Sequence, residues 1–267
     1  MQFFTGCFLL KTGSEKLLHE LYYGDERGFG YFQNILFKWA NMVKRQNHAI
    51  IVGNGDPPSA SLFSDLRSNS STLICADGGL KTVLDFGVVP DAVVGDLDSI
   101  ENSDLDRIPD ERVFKIDADN TSTDLEKALK HAIDSGVNVA TLLGFTGGRS
   151  DHVLWNLGLL RTFGDLIALR MVDDYGEIRL VKGVVRFRAK IGQKVSLSPL
   201  DAPVTGIVTR GLRFALRNES LQLGVRDGIS NEVVQNPVEI VVNQGSLLVF
   251  VHRNSDKDVV GWEPQIF

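Results

Sequence analysis

Cysteine is scarce: Cys7 and Cys75 are the only two in 267 residues, and they form no C-x-x-C pair. That argues against a disulfide framework and fits a reducing compartment. No apolar run is long enough to cross a bilayer, so no membrane association is expected. The apolar start at residues 1–10 lacks a basic region and ends at Lys11. No signal peptide is expected, and the expected location is the cytoplasm. Basic stripes are missing as well, and the formal net charge is −6, so nucleic acid is not an expected partner. Neither G-x-x-x-x-G-K-[ST] nor G-x-G-x-x-G occurs, which excludes an ordinary Walker-type kinase and a Rossmann dehydrogenase. There is no internal repeat and no low-complexity segment.

What is present is an ordinary globular balance, with 43% hydrophobic and 23% charged residues, enough to bury a substantial core. Residues 1–47 are aromatic-rich with patchy helical periodicity and read as an N-terminal extension. Met42 is the expected functional start; a genuine N-terminal helix packed on the domain is the alternative. From 48 to 180 strand and helix patterns alternate. Strands are expected at 49–52, 72–76, 92–94, 113–116, 139–143 and 166–172. Helices are expected at 61–68, 80–86, 123–135 and 151–163. Short apolar strands between helices predict an α/β domain with a mostly parallel sheet, and ligands in such sheets sit beyond the carboxyl ends of the strands. From 181 to 267 the pattern becomes all-β, with strands at 184–189, 194–197, 205–210, 221–225, 238–242 and 246–251. Helical periodicity is absent there, which predicts a small β-sandwich domain.

Four polar clusters fall at strand ends. In Asp77-Gly78-Gly79 the glycines let backbone N–H groups approach a phosphate or ribose, and Asp77 is able to bind a hydroxyl or a metal. Taken alone, the tripeptide reads first as a strand-to-helix turn with an Asp cap. Asp96 and Asp98, two apart after a strand, offer hard oxygen ligands that suit magnesium; a solvated acidic turn is the alternative. Residues 117–124 carry Asp117, Asp119, Thr121, Ser122, Thr123 and Asp124, with Ser122 or Thr123 as an N-cap and Asp124 in the first helical turn. The fourth, Gly147-Gly148-Arg149-Ser150-Asp151-His152, combines a tight loop with an arginine suited to phosphate. His152 reads as packing or support rather than as a general base. Together the clusters point to phosphoryl or nucleotidyl chemistry on one sheet edge.

In order, A-D-G-G, G-D-L-D-S, T-D-L-E-K-A-L and G-G-R-S-D-H resemble the motifs of the thiamine pyrophosphokinase family. The stretches 204–212 and 228–232 are similar to its C-terminal domain, so the likeness covers roughly residues 48–251. The resemblance implies ATP and thiamine as substrates, magnesium as cofactor, and thiamine diphosphate and AMP as products. It also implies a homodimer with the active site at the interface, where the partner's C-terminal domain helps hold thiamine. Asp96, Asp98 and Asp124 resemble the magnesium-binding and catalytic carboxylates. Asp77, Gly78, Gly79, Arg149 and Asp151 fall around the nucleotide, and Thr123, Ser230 and Asn231 on the substrate side. One departure is the position three before Asp124, often acidic in the family and here Thr121, with Asp119 and Asp117 further back. Two rival readings are a related transferase acting on another alcohol and a catalytically idle binding module.

Overall fold

Strand and helix alternate through the first half of the chain because apolar runs of four to six residues are punctuated by Gly, Asp and Pro. The computed structural model describes residues 47–117, 122–253 and 260–263, which belong to one compact unit, Asn47–Phe267. The expectations for residues 1–41, for a start at Met42, and for Asp119 and Thr121 lie outside the described residues. The elements of this half are β1 (His48–Val52), α1 (Ala60–Arg67), β2 (Thr72–Ala76), α2 (Gly79–Asp85), β3 (Ala92–Gly95), α3 (Asn102–Leu105), β4 (Val113–Lys115), α4 (Asp124–Asp134), β5 (Val139–Leu143), α5 (Ser150–Phe163) and β6 (Ala168–Asp173).

Neighbouring strands among these six are all parallel, in the order β4-β3-β2-β1-β5-β6. The inner strands β1, β2, β3 and β5 are buried on both faces because helices cover both sides. The two-residue period of β1 shows this directly. Ala49 and Ile51 join a core with Leu125 and Leu129 of α4 and Leu160 of α5. Ile50 and Val52 face the other way, onto Leu62 and Phe63 of α1 and Leu80 and Val83 of α2. Strand order runs outward from β1 in one direction to β4 and in the other through β5. The ends of β1 and β5 therefore flank the switch point, where open α/β sheets leave a crevice.

The second half is strand throughout: β7 (Gly176–Arg188), β8 (Lys194–Pro199), β9 (Val204–Arg210), β10 (Arg217–Leu221), β11 (Gly228–Glu232), β12 (Val238–His252) and β13 (Gly261–Trp262). Its pairings are antiparallel, and the β6–β7 pair joins it to the parallel strands in one 13-stranded sheet. The expected boundary at 180 falls inside β7, one continuous strand. β12 pairs with β7 along nearly its whole length, interrupted by a bulge between Val242 and Leu247. Before that bulge β12 also pairs with β9, and after it with β8. A third core, with Phe187, Leu197, Ile207, Ile240 and Val249, fills this half. The strand expected at 221–225 is corrected: β10 ends at Leu221, and residues 223–225 form a turn closed by hydrogen bonds between Gln222 and Arg226.

A polar chain crosses the sheet from β1 to β7. His48 Nδ1 donates to the Asn69 carbonyl at 3.1 Å, so its Nε2 accepts from the Thr141 hydroxyl at 2.8 Å. Thr141 Oγ1 accepts from Arg170 Nε at 2.8 Å, and Arg170 and Arg179 both donate to Glu177. Burial lowers the His48 pKa below its ordinary 6.5; the Asn69 carbonyl opposes this, and the Arg170 and Arg179 charges lower it further. The folded protein therefore resists a proton that the unfolded chain accepts. The His48 contribution to stability is complete above about pH 6.5 and is lost as pH falls below it. Urea unfolding at about pH 7.5 and about pH 5.5 is expected to show a larger stability loss for the native chain than for His48→Gln. Equal losses would contradict the neutral-histidine assignment.

Candidate active site

A cleft of about 960 Å³ opens at the carboxyl ends of the parallel strands. Its walls include Gly53, Asn54 and Gly55 after β1, Asp77 after β2, Asp96 and Ser99 after β3, and Gly147, Gly148 and Arg149 after β5. Helix α4 contributes Asp124 and Lys127, and α5 contributes His152 and Trp155. The loops after β1 and β5 are zipped together at the switch point. Gly53 N donates to Leu143 O at 2.8 Å, Gly55 N to Gly144 O at 2.7 Å, and Asp56 N to Thr146 O at 2.9 Å. Gly144 has φ +68, and a side chain there would run into the Gly53 carbonyl at 2.6 Å, so the close approach requires glycine. Asn156 of α5 is buried and donates to the Phe145 carbonyl at 3.2 Å, which pins the β5 loop to its helix.

The acidic wall is built by two unusual backbone conformations. Asp77 has φ 45 and Leu97 φ 68, both left-handed, and for a residue as bulky as leucine this region is costly. Leu97 packs against the core while its neighbours face outward. Oxygens of Asp77, Asp96 and Asp98 lie within 4.8 Å of one another. Asp77 is 3% exposed and its Oδ1 has no hydrogen-bond partner. A buried carboxylate oxygen without a donor is expensive. Burial raises the Asp77 pKa; Ser99 and the Gly78 amide oppose this, and the charges of Asp124 and Asp96 add to it. Three crowded hard oxygens, one of them orphaned, suit a divalent cation such as magnesium.

Thr123 caps α4, its Oγ1 accepting from Glu126 N at 3.4 Å. Of the two capping alternatives, Thr123 therefore takes the role, which fixes Asp124 in the first turn. One turn on, Lys127 Nζ lies 2.8 Å from Asp96 Oδ2 and 3.1 Å from Asp124 Oδ1, with its side chain 4% exposed. Burial pushes the ammonium pKa down, but the hydrogen bonds and charges of Asp96 and Asp124 outweigh it, and the net shift is upward. The hydrogen bond from Lys127 in turn lowers the Asp96 pKa. Asp124 thus connects to Asp96 through an ammonium, and the three-carboxylate group contains Asp77 in its place.

Arg149, which lines the cleft after β5, forms an exposed pair with Asp151, which lies outside the lining, with Nη2 2.6 Å from Oδ2 and Nε 3.2 Å from Oδ1. That pairing holds the Asp151 pKa at about 2. An exposed pair of this kind exchanges partners readily, so Arg149 is free to meet a phosphate. The first turn of α5 adds backbone N–H groups that favour an anion.

Several expected positions fall elsewhere. Gly78 and Gly79 are buried and do not line the cleft. A side chain on Gly79 would meet the Val52 carbonyl at 2.1 Å, so its smallness serves the packing of α2 on β1. Asp117 is exposed and also outside the lining, and His152 is exposed on the cleft wall rather than packed. Ser230, with φ 61, and Asn231 lie on β11 and do not line the cleft. The Asn231 side chain is buried, accepting from Phe214 N at 2.9 Å and donating to Phe214 O at 2.8 Å. Contributors that went unread in the sequence include the 53–55 loop, Lys127, Asn156 and the half-exposed Trp155. Lys127 had a signal, its i,i+3 spacing from Asp124.

Two family models match the chain: the thiamin pyrophosphokinase catalytic domain over residues 63–168 and the thiamin pyrophosphokinase vitamin B1 binding domain over residues 184–247. Thiamine pyrophosphokinase of Bacillus subtilis is 30% identical over 190 residues, covering 68% of this chain and 87% of the relative. Thiamine pyrophosphokinase 1 of Oryza sativa subsp. japonica is 27% identical over 235 residues, covering 78% and 88%. Among solved structures, thiamine pyrophosphokinase of Bacillus subtilis superposes with a TM-score of 0.67 at 25% identity, covering 78% of this chain and all of that one. Thiamin pyrophosphokinase of Geobacillus thermodenitrificans gives 0.65 at 26%, covering 78% and 98%.

The glycine packing makes a graded prediction. Gly79→Ala meets backbone, while Gly78→Ala meets only the Asn54 side chain at 2.4 Å. Chemical denaturation is expected to show Gly79→Ala losing roughly 1–3 kcal/mol and Gly78→Ala clearly less. The reverse ranking would contradict the close approach of α2 to β1.

Proposed function

The chain belongs to the thiamine pyrophosphokinase family, and we propose that its cleft carries out the transfer as follows. The enzyme forms thiamine diphosphate from thiamine with ATP. The thiamine hydroxyl attacks the β-phosphorus of ATP in line, a new phosphorus–oxygen bond forms, the bond to the α-phosphate oxygen breaks, and AMP leaves. The hydroxyl proton passes to a carboxylate of the cleft. Such transfers depend mainly on positioning and electrostatics.

The observation that carries this reading is the pairing of walls within one cleft at the switch point. One wall gathers carboxylates, and the other offers a glycine loop, Arg149 and the N-terminus of α5. Asp77, Asp96 and Asp98 would hold magnesium, with Asp124 beside them. Bound there, magnesium supplies positive charge against the polyphosphate and against charge developing in transfer. Arg149 gives up Asp151 for a phosphate oxygen, and Thr123 keeps Asp124 on the cleft wall. The antiparallel half is the thiamine-binding part, a sandwich-like unit whose layers close over the core around Phe187 and Val249. Ser230 serves the cleft of a second copy in a homodimer, and Asn231 holds the Phe214 loop in place for it. Exposed Phe214, Leu223, Val225 and Ile229 on this half support that assembly.

The test resolves AMP from ADP in a reaction of ATP, magnesium and thiamine. Thiamine-dependent AMP matching thiamine diphosphate is expected. ADP would contradict attack at the β-phosphorus, and no turnover by folded protein would favour the idle binding module. Asp98→Asn is expected to lower turnover by ~10² or more with thermal unfolding little changed. Near-normal turnover would remove Asp98 from the site.

A further inference from the structure

Lys127 lies on the acidic wall, yet its ammonium has almost no access to solvent or to the open cleft. Its side chain is 4% exposed, and both of its anionic partners are wall carboxylates, Asp96 at 2.8 Å and Asp124 at 3.1 Å. A buried ammonium is tolerated only when paired, and a paired carboxylate is costly to strand by removing its partner. Among the described residues, Asp77, Asp96 and Asp124 line the cleft around it, and Asp98 groups with Asp77 and Asp96. Among the described residues, Lys127 donates to Oδ2 of Asp96 and to Oδ1 of Asp124. Asp96 Oδ1 is left on the side of Asp98, whose amide lies 3.4 Å away. Asp77 Oδ1 remains buried and without a donor.

We infer that Lys127 is a built-in counter-charge and positioning residue: it fixes Asp96 and Asp124, leaves the Asp77, Asp96 and Asp98 oxygens as the cation set, and weakens that set's hold on a bare divalent ion. This rests on the metal-dependent reading above. The sign follows from Coulomb's law, since the ammonium and the cation share the carboxylate of Asp96 and repel each other at short range. Lys127 keeps the wall folded when no cation is present, because it supplies one positive charge among four negative ones. It also keeps the bare site from being filled tightly, so that binding is completed by the phosphates of the nucleotide, whose negative charge offsets the repulsion. A neutral side chain at this position removes both effects together. The empty wall then becomes less stable, and a divalent cation becomes its best remaining counter-charge.

The test measures Mn²⁺ binding to the nucleotide-free protein by electron paramagnetic resonance, and thermal unfolding with chelator or with Mn²⁺. It needs no thiamine, so an error in the acceptor leaves it intact. Lys127→Met is expected to bind bare Mn²⁺ about tenfold or more tightly than the native chain. It should also unfold at lower temperature in chelator, with a larger upward shift on adding Mn²⁺. Lys127→Gln, which keeps a hydrogen-bond donor and loses the charge, guards against a variant that fails to fold and is expected to move the same way. Lys127→Arg, which keeps the charge, is expected to stay near the native affinity. Unchanged Mn²⁺ affinity and an unchanged Mn²⁺-induced shift in both neutral variants would overturn the inference and leave Lys127 a structural bridge. Tighter binding in Lys127→Arg as well would overturn it too, by making shape rather than charge the cause. No Mn²⁺ binding by any form, with or without ATP, would overturn the metal reading itself.

Discussion

Repulsion among carboxylates crowded onto one sheet edge is the constraint around which the rest of this structure is arranged. Like charges within a few ångströms raise one another's pKa and favour neutralisation unless cations intervene. Asp77 shows the strain most plainly, being buried, left-handed in its backbone and lacking a partner for Oδ1. Lys127 relieves part of it, and the parallel strands make the crowding geometrically possible. β2 and β3 end side by side, with Ala76 opposite Val94, and their next residues turn into the same space. The helices behind them are held close enough that glycine alone fits at position 79.

The antiparallel half is joined to the parallel strands through β6, on the far side of β1 and β5 from the acidic cluster, rather than hung from a linker. β6 and β7 pair directly, and β7 and β12 then run together for most of their length. Charged ladders accompany the join. Glu177 takes Arg170 and Arg179, and Glu239 takes Arg186 and Arg210. Trp262 covers Arg179 at 4.6 Å and packs on Phe187. A continuous sheet of this kind sets the orientation of β11 relative to the parallel strands within one chain, so its exposed residues are presented as part of a stiff frame.

Much of the mixed α/β fold was legible because its signals are local. β2 and β5 fall at the expected residues, being apolar runs bounded by Asp and Gly. α4 was legible from its apolar stripe and its cap. The long strands were not. β7 was read only from Val184 onward because its first half carries Glu177, Arg179, Lys182 and Gly183, the first two satisfied by each other and by Arg170 within the sheet. β12 was read as two strands because its bulge looks like a turn. At the cleft, Asp77, Asp96, Asp98, Asp124 and Arg149 were picked out by residue type at strand ends. The 53–55 loop was missed because its contribution is backbone proximity, which only the switch between β1 and β5 creates. Gly78 and Gly79 were assigned to ligand approach, when a neighbouring carbonyl explains Gly79. Which three carboxylates group together was not legible either, since it depends on Lys127 standing between Asp96 and Asp124.

The most direct measurement of this account is the anomalous diffraction of crystals grown with Mn²⁺ and ATP. The predicted result is a peak among Asp77, Asp96 and Asp98, with Lys127 still bridging Asp96 and Asp124. A peak bound by Asp124 with Lys127 displaced, or a cation held away from Asp77, would contradict it.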